Sequence, residues 1–569
     1  MISHGSQRTG PTIVNVVAAF LLLIAGLAAE PRPNVLLILT DNQSFHELSC
    51  HGSPHVKTPR IDALAKEGID FLNFHAPPFC SPSRAAMLTG RYAMRAGIHN
   101  TIGGVSILHR KEKTVADHLK AAGYRTGVFG KWHLGYSYPY LPQWRGFDEV
   151  FVHGGGGIGQ LEDFFGNNHL DATFLHNGTF KPTEGFSTDV LFQQGMDFIE
   201  KNRDAPFFCY VTTPATHRPW QAHPEAAERI LARGQKPSAN ELALYSMIEN
   251  IDDNVGRILD QLERLDLARR TLVIVATDQG TRRERVHKNL AYDEFHQVFC
   301  MMRYPEFTDE NAHRSTALCG MVDIAPTILD LCGVKPASAK TDGRSLLPIL
   351  QGRRAWADER ALIVQCPRGR ERARWKNAAV KTQRWRYLEG QKLFDVAKDP
   401  GQTEDVAANH PVVREKLGRL YDRFWNSLPP AEDLRSYHVL GSEEAPEVRL
   451  NAMDWYKGKA PWHQLHMPKF TGNGTWPVEV EKDGRYRFEL RYHPREAPQK
   501  LGASSASLTI GKTMVENELD DEAEYAVFEV RLKKGRYDLV TALTPGQGSR
   551  HKAPWGALFV YISRLAEND

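Results

Sequence analysis

The 569-residue sequence predicts an α/β protein, a large sheet sandwiched by helices, followed by a C-terminal antiparallel β-sandwich domain. Three observations carry this reading. The runs Pro33–Thr40 and Thr271–Thr277 are apolar without alternation, which suits strands buried on both faces. Segments with helical spacing alternate with such runs through most of the first 350 residues, the pattern of an α/β sandwich. From about Pro446 the texture changes to short alternating runs punctuated by Gly484, Gly511 and Gly535, as in a separate β-sandwich.

Taken in order, the chain opens with an apolar run, Ile13–Ala29, behind a short polar stretch with Arg8. Its small-residue ending, Gly26-Leu27-Ala28-Ala29, reads as a cleaved secretory signal over residues 1–29, with an uncleaved anchor as the alternative. Without that segment the chain has no stable membrane span, and its expected location is secreted or periplasmic. A strand over Pro33–Thr40 follows, then a helix over Pro59–Gly68 with Ile61, Leu64 and Ala65 on one face. A longer helix from about Ala243 to Leu265 repeats Ile248, Ile251, Val255, Ile258, Leu259 and Leu262, and leads into the strand Thr271–Thr277. Arg485–Tyr492 alternates strictly, and Ala526–Leu532, Arg536–Leu543 and Ala557–Ile562 are strand-like. The expected units are a main domain over 30–435, with a small α+β subdomain at about 355–435, and an accessory β-sandwich over 445–569.

The formal charge of +3 is close to neutral and no basic block carries interleaved aromatics, so nucleic acid is not an expected partner. Cys209, Cys300 and Cys332 lie in apolar settings that suit buried free thiols. Asn177-Gly178-Thr179 and Asn473-Gly474-Thr475 are glycosylation sequons. His153 and the four glycines after it lack the Lys-Ser/Thr ending of a phosphate-binding loop and read as a mobile loop at a pocket rim.

Chemistry concentrates in six short runs. Cys80 opens Cys80-Ser81-Pro82-Ser83-Arg84, which continues to Leu88-Thr89-Gly90-Arg91. Gly130-Lys131-Trp132-His133-Leu134-Gly135 puts Lys131 and His133 two residues apart, on one side of an extended chain. His217 follows the apolar Phe207–Val211, and Lys288 precedes Tyr292-Asp293-Glu294. Asp41-Asn42 and Asp278-Gln279 each end a buried strand, where ligand groups gather in α/β sheets. Oxygen donors at adjacent strand ends suit a hard cation.

The Cys80 run and the Gly130–Gly135 run resemble the two signatures of the type I sulfatases, and the resemblance covers roughly Pro33 to Pro430. Val322–Thr327, Asp342–Leu346 and Leu393–Asp395 extend it. It implies the family's fold, a sulfatase and alkaline-phosphatase-like mixed sheet between helices. It implies that Cys80 is oxidised by a formylglycine-generating enzyme to formylglycine (3-oxoalanine), whose hydrated aldehyde is the nucleophile and regenerates its carbonyl by expelling sulfate. It also implies a calcium ion held by Asp41, Asn42, Asp278, Gln279 and residue 80. Arg84 then holds the aldehyde hydrate, Lys131 bridges nucleophile and sulfate, His133 is the base, and His217 with Lys288 protonates the departing alcohol.

The chain departs from the family in having Asn42 and Gln279 where an Asp and an Asn or His are usual, and in lacking glycines after the Tyr292 element. The implied activity is hydrolysis of sulfate monoesters, of sulfated carbohydrates first and aryl sulfates as artificial substrates. Two other readings share the pattern. One is a phosphodiester or phosphonate monoester hydrolase on the same scaffold and nucleophile. The other is a carbohydrate-binding protein retaining a degenerate form of the domain.

Overall fold

The computed structural model describes residues 1, 32–280, 287, 289–336, 340–353 and 360–566. The apolar run before residue 30 and Lys288 lie outside the described residues.

Ten strands form the main sheet. They are β1 (Asn34–Thr40), β2 (Ile69–Phe71), β3 (Arg125–Lys131), β4 (Glu149–His153), β5 (Thr173–His176), β6 (Thr179–Pro182), β7 (Phe207–Thr212), β8 (Thr271–Thr277), β9 (Cys300–Arg303) and β10 (His313–Ser315). Their order is β10-β2-β9-β8-β1-β7-β3-β4-β5-β6. The central five, β8, β1, β7, β3 and β4, are parallel, while β9 pairs antiparallel with β8, and β5 with β4. The sheet is therefore mixed.

Both faces of β1 are buried, as its unbroken apolar run requires. Val35, Leu37 and Leu39 meet one layer, with Met87, Leu119 and Ile328 from α2 (Cys80–Thr89), α3 (Val115–Ala121) and α6 (Ile324–Leu331). Leu36 and Ile38 meet the other, with Ile61, Phe192 and Val255 from α1 (Pro59–Glu67), α4 (Ser187–Lys201) and α5 (Ala239–Arg264). Helix α5 begins four residues before its apolar periodicity does, because Ser238 and Glu241 form a capping box around a polar first turn.

Beyond the main sheet, β11 (Leu362–Gln365), β12 (Ala378–Lys381), β13 (Trp385–Leu388) and β14 (Lys392–Asp395) form an antiparallel sheet covered by α7 (Pro411–Asn426). The C-terminal domain is a sandwich of two sheets. One runs β15 (His438–Leu440), β17 (Gly474–Val480), β22 (Gly535–Pro545), β19 (Ala503–Ile510), β20 (Thr513–Glu518). The other runs β16 (Glu447–Asn451), β23 (Phe559–Arg564), β18 (Gly484–Arg491), β21 (Ala526–Leu532). All neighbours pair antiparallel except β15, which lies parallel to β17. Trp476 and Leu508 from the first sheet meet Phe488 and Val560 from the second, and Leu161 of the main domain joins the same core.

Cys50, Cys80, Cys209, Cys300, Cys319 and Cys332 are free thiols, and of these only Cys50 is not buried. Among the described residues, no helix is long and apolar enough to cross a membrane.

Candidate active site

The parallel register of β1 on β8 pairs Thr40 with Thr277, so Asp41 and Asp278 leave neighbouring strand ends side by side. The Asp278 N–H donates to Thr40 O at 3.1 Å, and the Asn42 N–H donates to Asp278 Oδ1 at 3.3 Å. Both carboxylates are wholly buried. Burial and the nearness of Asp41 push Asp278 up to about 6, although Arg84 and Lys131 pull the other way.

Helix α2 starts at Cys80, with Phe79 as an extended N-cap and no side-chain cap, so Cys80 sits at the positive end of the helix. Arg84 follows one turn later on the same face. Its Nε donates to Asp278 Oδ2 at 2.9 Å, and its Nη1 donates to Lys131 O at 2.7 Å and Thr212 Oγ1 at 2.6 Å. Lys131, the last residue of β3, donates from Nζ to Asp41 Oδ2 at 2.6 Å. Burial pushes the Cys80 thiol up, and Lys131 and Arg84 do not offset it, so the unmodified side chain stays protonated and is a poor nucleophile.

His133 does not continue the strand. β3 ends at Lys131, and His133 adopts φ 58°, so the expected extended alternation is replaced by a turn that still brings both side chains to one site. Its N–H donates to the Tyr136 hydroxyl at 2.8 Å, and that hydroxyl donates to Gly155 O at 2.9 Å. His133 Nε2 lies 3.1 Å from Thr101 O. A carbonyl only accepts, so Nε2 carries the proton and the buried Nδ1, unpartnered among the described residues, is left as the acceptor. Burial, then Lys131 and Arg84, hold His133 well below the usual histidine range. His217 Nδ1 lies 2.6 Å from Arg218 O, which by the same logic leaves Nε2 as its acceptor. Burial and Lys131 lower it to about 4.

The run Gly154–Gly157 covers these two imidazoles. A Cβ on Gly156 would lie 2.2 Å from His133 Cε1, and one on Gly157 would lie 2.6 Å from His217 Nδ1. The Gly156 N–H donates to Gln160 Oε1 at 2.7 Å and the Gly159 N–H to Asp163 Oδ2 at 2.9 Å. The glycines expected to form a mobile rim are thus a tethered cover, small because the histidines fill the space beneath.

The residues that could hold a cation here are Asp41, Asn42, Asp278 and Gln279, two carboxylates and two amides, with residue 80 alongside. Asp41 Oδ1 is buried without a hydrogen-bond partner among the described residues, an orphan that a bound ion would satisfy. An all-oxygen set fits calcium or a similar hard ion. Among the described residues there is no group of three or more His, Cys, Asp or Glu placed to hold a metal.

Asn42, Cys80, His133, His217 and Gln279 open together onto a cleft of about 800 Å³. Thr101, Tyr136 and Thr212, which orient His133 and Arg84, had no motif to mark them. Arg368 and Trp462, which also line the cleft, come from segments far along the chain.

The family model described as Sulfatase matches residues 33–334, and that of the N-sulphoglucosamine sulphohydrolase C-terminal region matches residues 284–424. N-acetylgalactosamine-6-sulfatase of Homo sapiens is 32% identical over 366 residues, spanning 58% of this chain and 68% of that protein. Steryl-sulfatase of Rattus norvegicus is 25% identical over 584 residues, spanning 80% and 97%. Among solved structures, Ps i-CgsB in complex with k-i-k-neocarrahexaose superposes with a TM-score of 0.61 at 23% identity, covering 69% of this chain and 92% of that one. The phosphonate monoester hydrolase of Agrobacterium radiobacter gives a TM-score of 0.50 at 22% identity, covering 70% and 95%.

Proposed function

The chain belongs to the sulfatase family and is a sulfuric ester hydrolase, and from that premise we propose that it cleaves sulfate monoesters of carbohydrates through a formylglycine made from Cys80, beside a calcium ion. One observation carries the proposal: Cys80, Arg84, Lys131, Asp41 and Asp278 form one buried constellation, with two imidazoles held over it. The carbohydrate preference draws on relatives whose names carry N-acetylgalactosamine-6-sulfate hydrolysis and a bound neocarrahexaose. A secreted or periplasmic location fits this reading and rests on the export signal expected over residues 1–29.

A sulfate monoester is anionic and repels a nucleophile unless its oxygens are neutralised. Converted to formylglycine, residue 80 would offer a hydrated aldehyde oxygen at the positive end of α2. Asp41, Asn42, Asp278 and Gln279 would hold a calcium ion, whose chemistry there would be to offset the negative charge of the sulfate. Arg84, locked by Asp278, Lys131 O and Thr212, presents its charge without reorganising, and Lys131 adds a second cation. His133, with its Nδ1 free to accept, is the base at residue 80. His217 is neutral in the free enzyme, and an anion bound beside it favours the imidazolium, turning Nε2 into the donor for the leaving alcohol. Lys288 is the second candidate for that proton.

The test is release of inorganic sulfate from a panel of sulfated glycans and an aryl sulfate, with an aryl phosphonate and an aryl phosphate alongside. The protein is matured with a formylglycine-generating enzyme, and mass spectrometry checks for the aldehyde at position 80. Sulfate release that disappears in Cys80→Ala and on chelation, and returns with calcium, is the expected result. Hydrolysis of the phosphonate with every sulfate intact would establish the phosphonate monoester reading instead. Binding without turnover, despite confirmed aldehyde, would establish the degenerate binding protein.

A further inference from the structure

The cleft is much larger than a sulfate group needs, and its outer wall has a composition that the hydrolytic chemistry does not use. Its volume of about 800 Å³ falls within the roughly 300–1,000 Å³ of sites that enclose a drug-sized molecule.

Two arginines line this outer part. The Arg218 guanidinium lies over the Trp220 ring at 4.3 Å, and that of Arg368 lies over the Phe79 ring at 4.7 Å. Neither forms an ion pair among the described residues, so each guanidinium rests over an aromatic ring without a carboxylate to neutralise it. Among the described residues the one carboxylate in the lining, Glu241, is committed to the capping box of α5 through the Ser238 N–H at 2.9 Å and hydroxyl at 2.7 Å.

The third element comes from the C-terminal domain, beyond the last residue matched by either family model. Trp462 lines the same cleft and remains 46% exposed, unusual for an indole. It is not a loose side chain. Its carbonyl accepts from the Leu161 N–H at 3.4 Å, its ring touches those of His463 and His466, and His463 bridges to Gln160. A rigid, half-open indole above a polar cleft is the usual platform for the apolar face of a sugar ring.

We infer that the outer cleft binds a saccharide carrying a second anionic group beside the sulfated ring, with Trp462 as stacking platform and Arg368 and Arg218 as anion clamp. This deepens the sulfated-carbohydrate reading and rests on it. The second anion is a carboxylate, as in a uronic acid, or another sulfate, since a planar guanidinium takes either.

The experiment uses the full-length protein and four probes: a monosulfated hexosamine, the same sugar linked to a uronic acid, the same sugar linked to a neutral hexose, and the disulfated hexosamine. Binding to full-length Cys80→Ser is read by calorimetry, and kcat/KM is measured on the matured enzyme. A charged probe is expected to bind at least tenfold more tightly than the neutral disaccharide, and whether the uronate or the disulfate gains identifies the anion. Arg368→Gln, with Arg218→Gln as the second variant, is expected to remove most of that advantage. Trp462→Ala is expected to weaken every saccharide at least fivefold, with Trp462→Tyr recovering most of the loss, and thermal melting confirms that each variant is folded. Equal binding of charged and neutral disaccharides, or no effect of Trp462→Ala, overturns the inference. Absence of sulfate release from all probes overturns the proposed activity instead, and the binding comparison still decides the clamp.

Discussion

Backbone carbonyls, not carboxylates, orient the two imidazoles of the site. Thr101 O fixes the proton of His133 and Arg218 O that of His217, so the ring nitrogens left to work are chosen by peptide groups with no charge of their own. Gly156 and Gly157 then hold the rings down. Neither has a left-handed φ, so alanine at Gly157 is a steric probe without backbone strain. Its Cβ would sit 2.6 Å from His217 Nδ1 and must displace the ring. Gly157→Ala is expected to lower kcat/KM by about 10- to 100-fold, the usual effect of shifting a catalytic group by about 1 Å, while the melting temperature stays near wild type. Activity within twofold of wild type would show that the contact is not used. At this scale the sequence was readable where one short run carries several groups, as in Cys80 with Arg84, or Lys131 with His133. It was silent on Thr101, Tyr136, Thr212 and Arg368, because each reaches the site by tertiary contact and is an ordinary residue in its own neighbourhood.

Elements show the same division. Seven-residue apolar runs announced β1 and β8, since a strand buried on both faces leaves no room for polar alternation. Strands of three or four residues, such as β2, β9 and β10, carry too short a pattern to separate from loops. The turn at His133 escaped because side-chain spacing alone does not report a positive φ. In the C-terminal sandwich, the strict alternation that predicted β18 has an electrostatic counterpart. Its buried Glu489 accepts hydrogen bonds from Arg487, Arg491 and Arg495. Burial alone would raise this carboxyl, but the three arginines outweigh it and hold it at about 2. The folded pKa lies below the unfolded value of 4.5, so this stabilisation is present above about pH 4.5 and is lost as pH falls toward 2. Thermal melts of wild type and Glu489→Gln should therefore differ most near neutrality and converge as the solution is acidified. A gap constant with pH would contradict the assignment.

At the scale of the whole molecule, the two domains meet at the cover over the histidines. Gln464 donates from Nε2 to the carbonyls of Gln160, Asp163 and Phe164, at 3.0, 3.2 and 3.3 Å, and its Oε1 accepts from the Gly166 N–H at 2.9 Å. One side chain of the C-terminal domain thus ties down the loop that carries Gly154–Gly157. Removing it leaves several carbonyls unsatisfied, each costing on the order of 1–3 kcal/mol if they stay dry. Gln464→Ala is expected to raise KM several-fold and to lower the melting temperature, whereas an unchanged KM would mean that the loop holds itself. The sequence announced a β-rich C-terminal unit but not this seam, which is written in contacts between segments some 300 positions apart. A different consequence follows from α2, every residue of which is buried. If residue 80 is matured as proposed, an enzyme that must take the run around Cys80 into its own site would have to act before the layers close over α2. A copy that folded first would keep its thiol, and the specific activity of a preparation would then record a race run during synthesis.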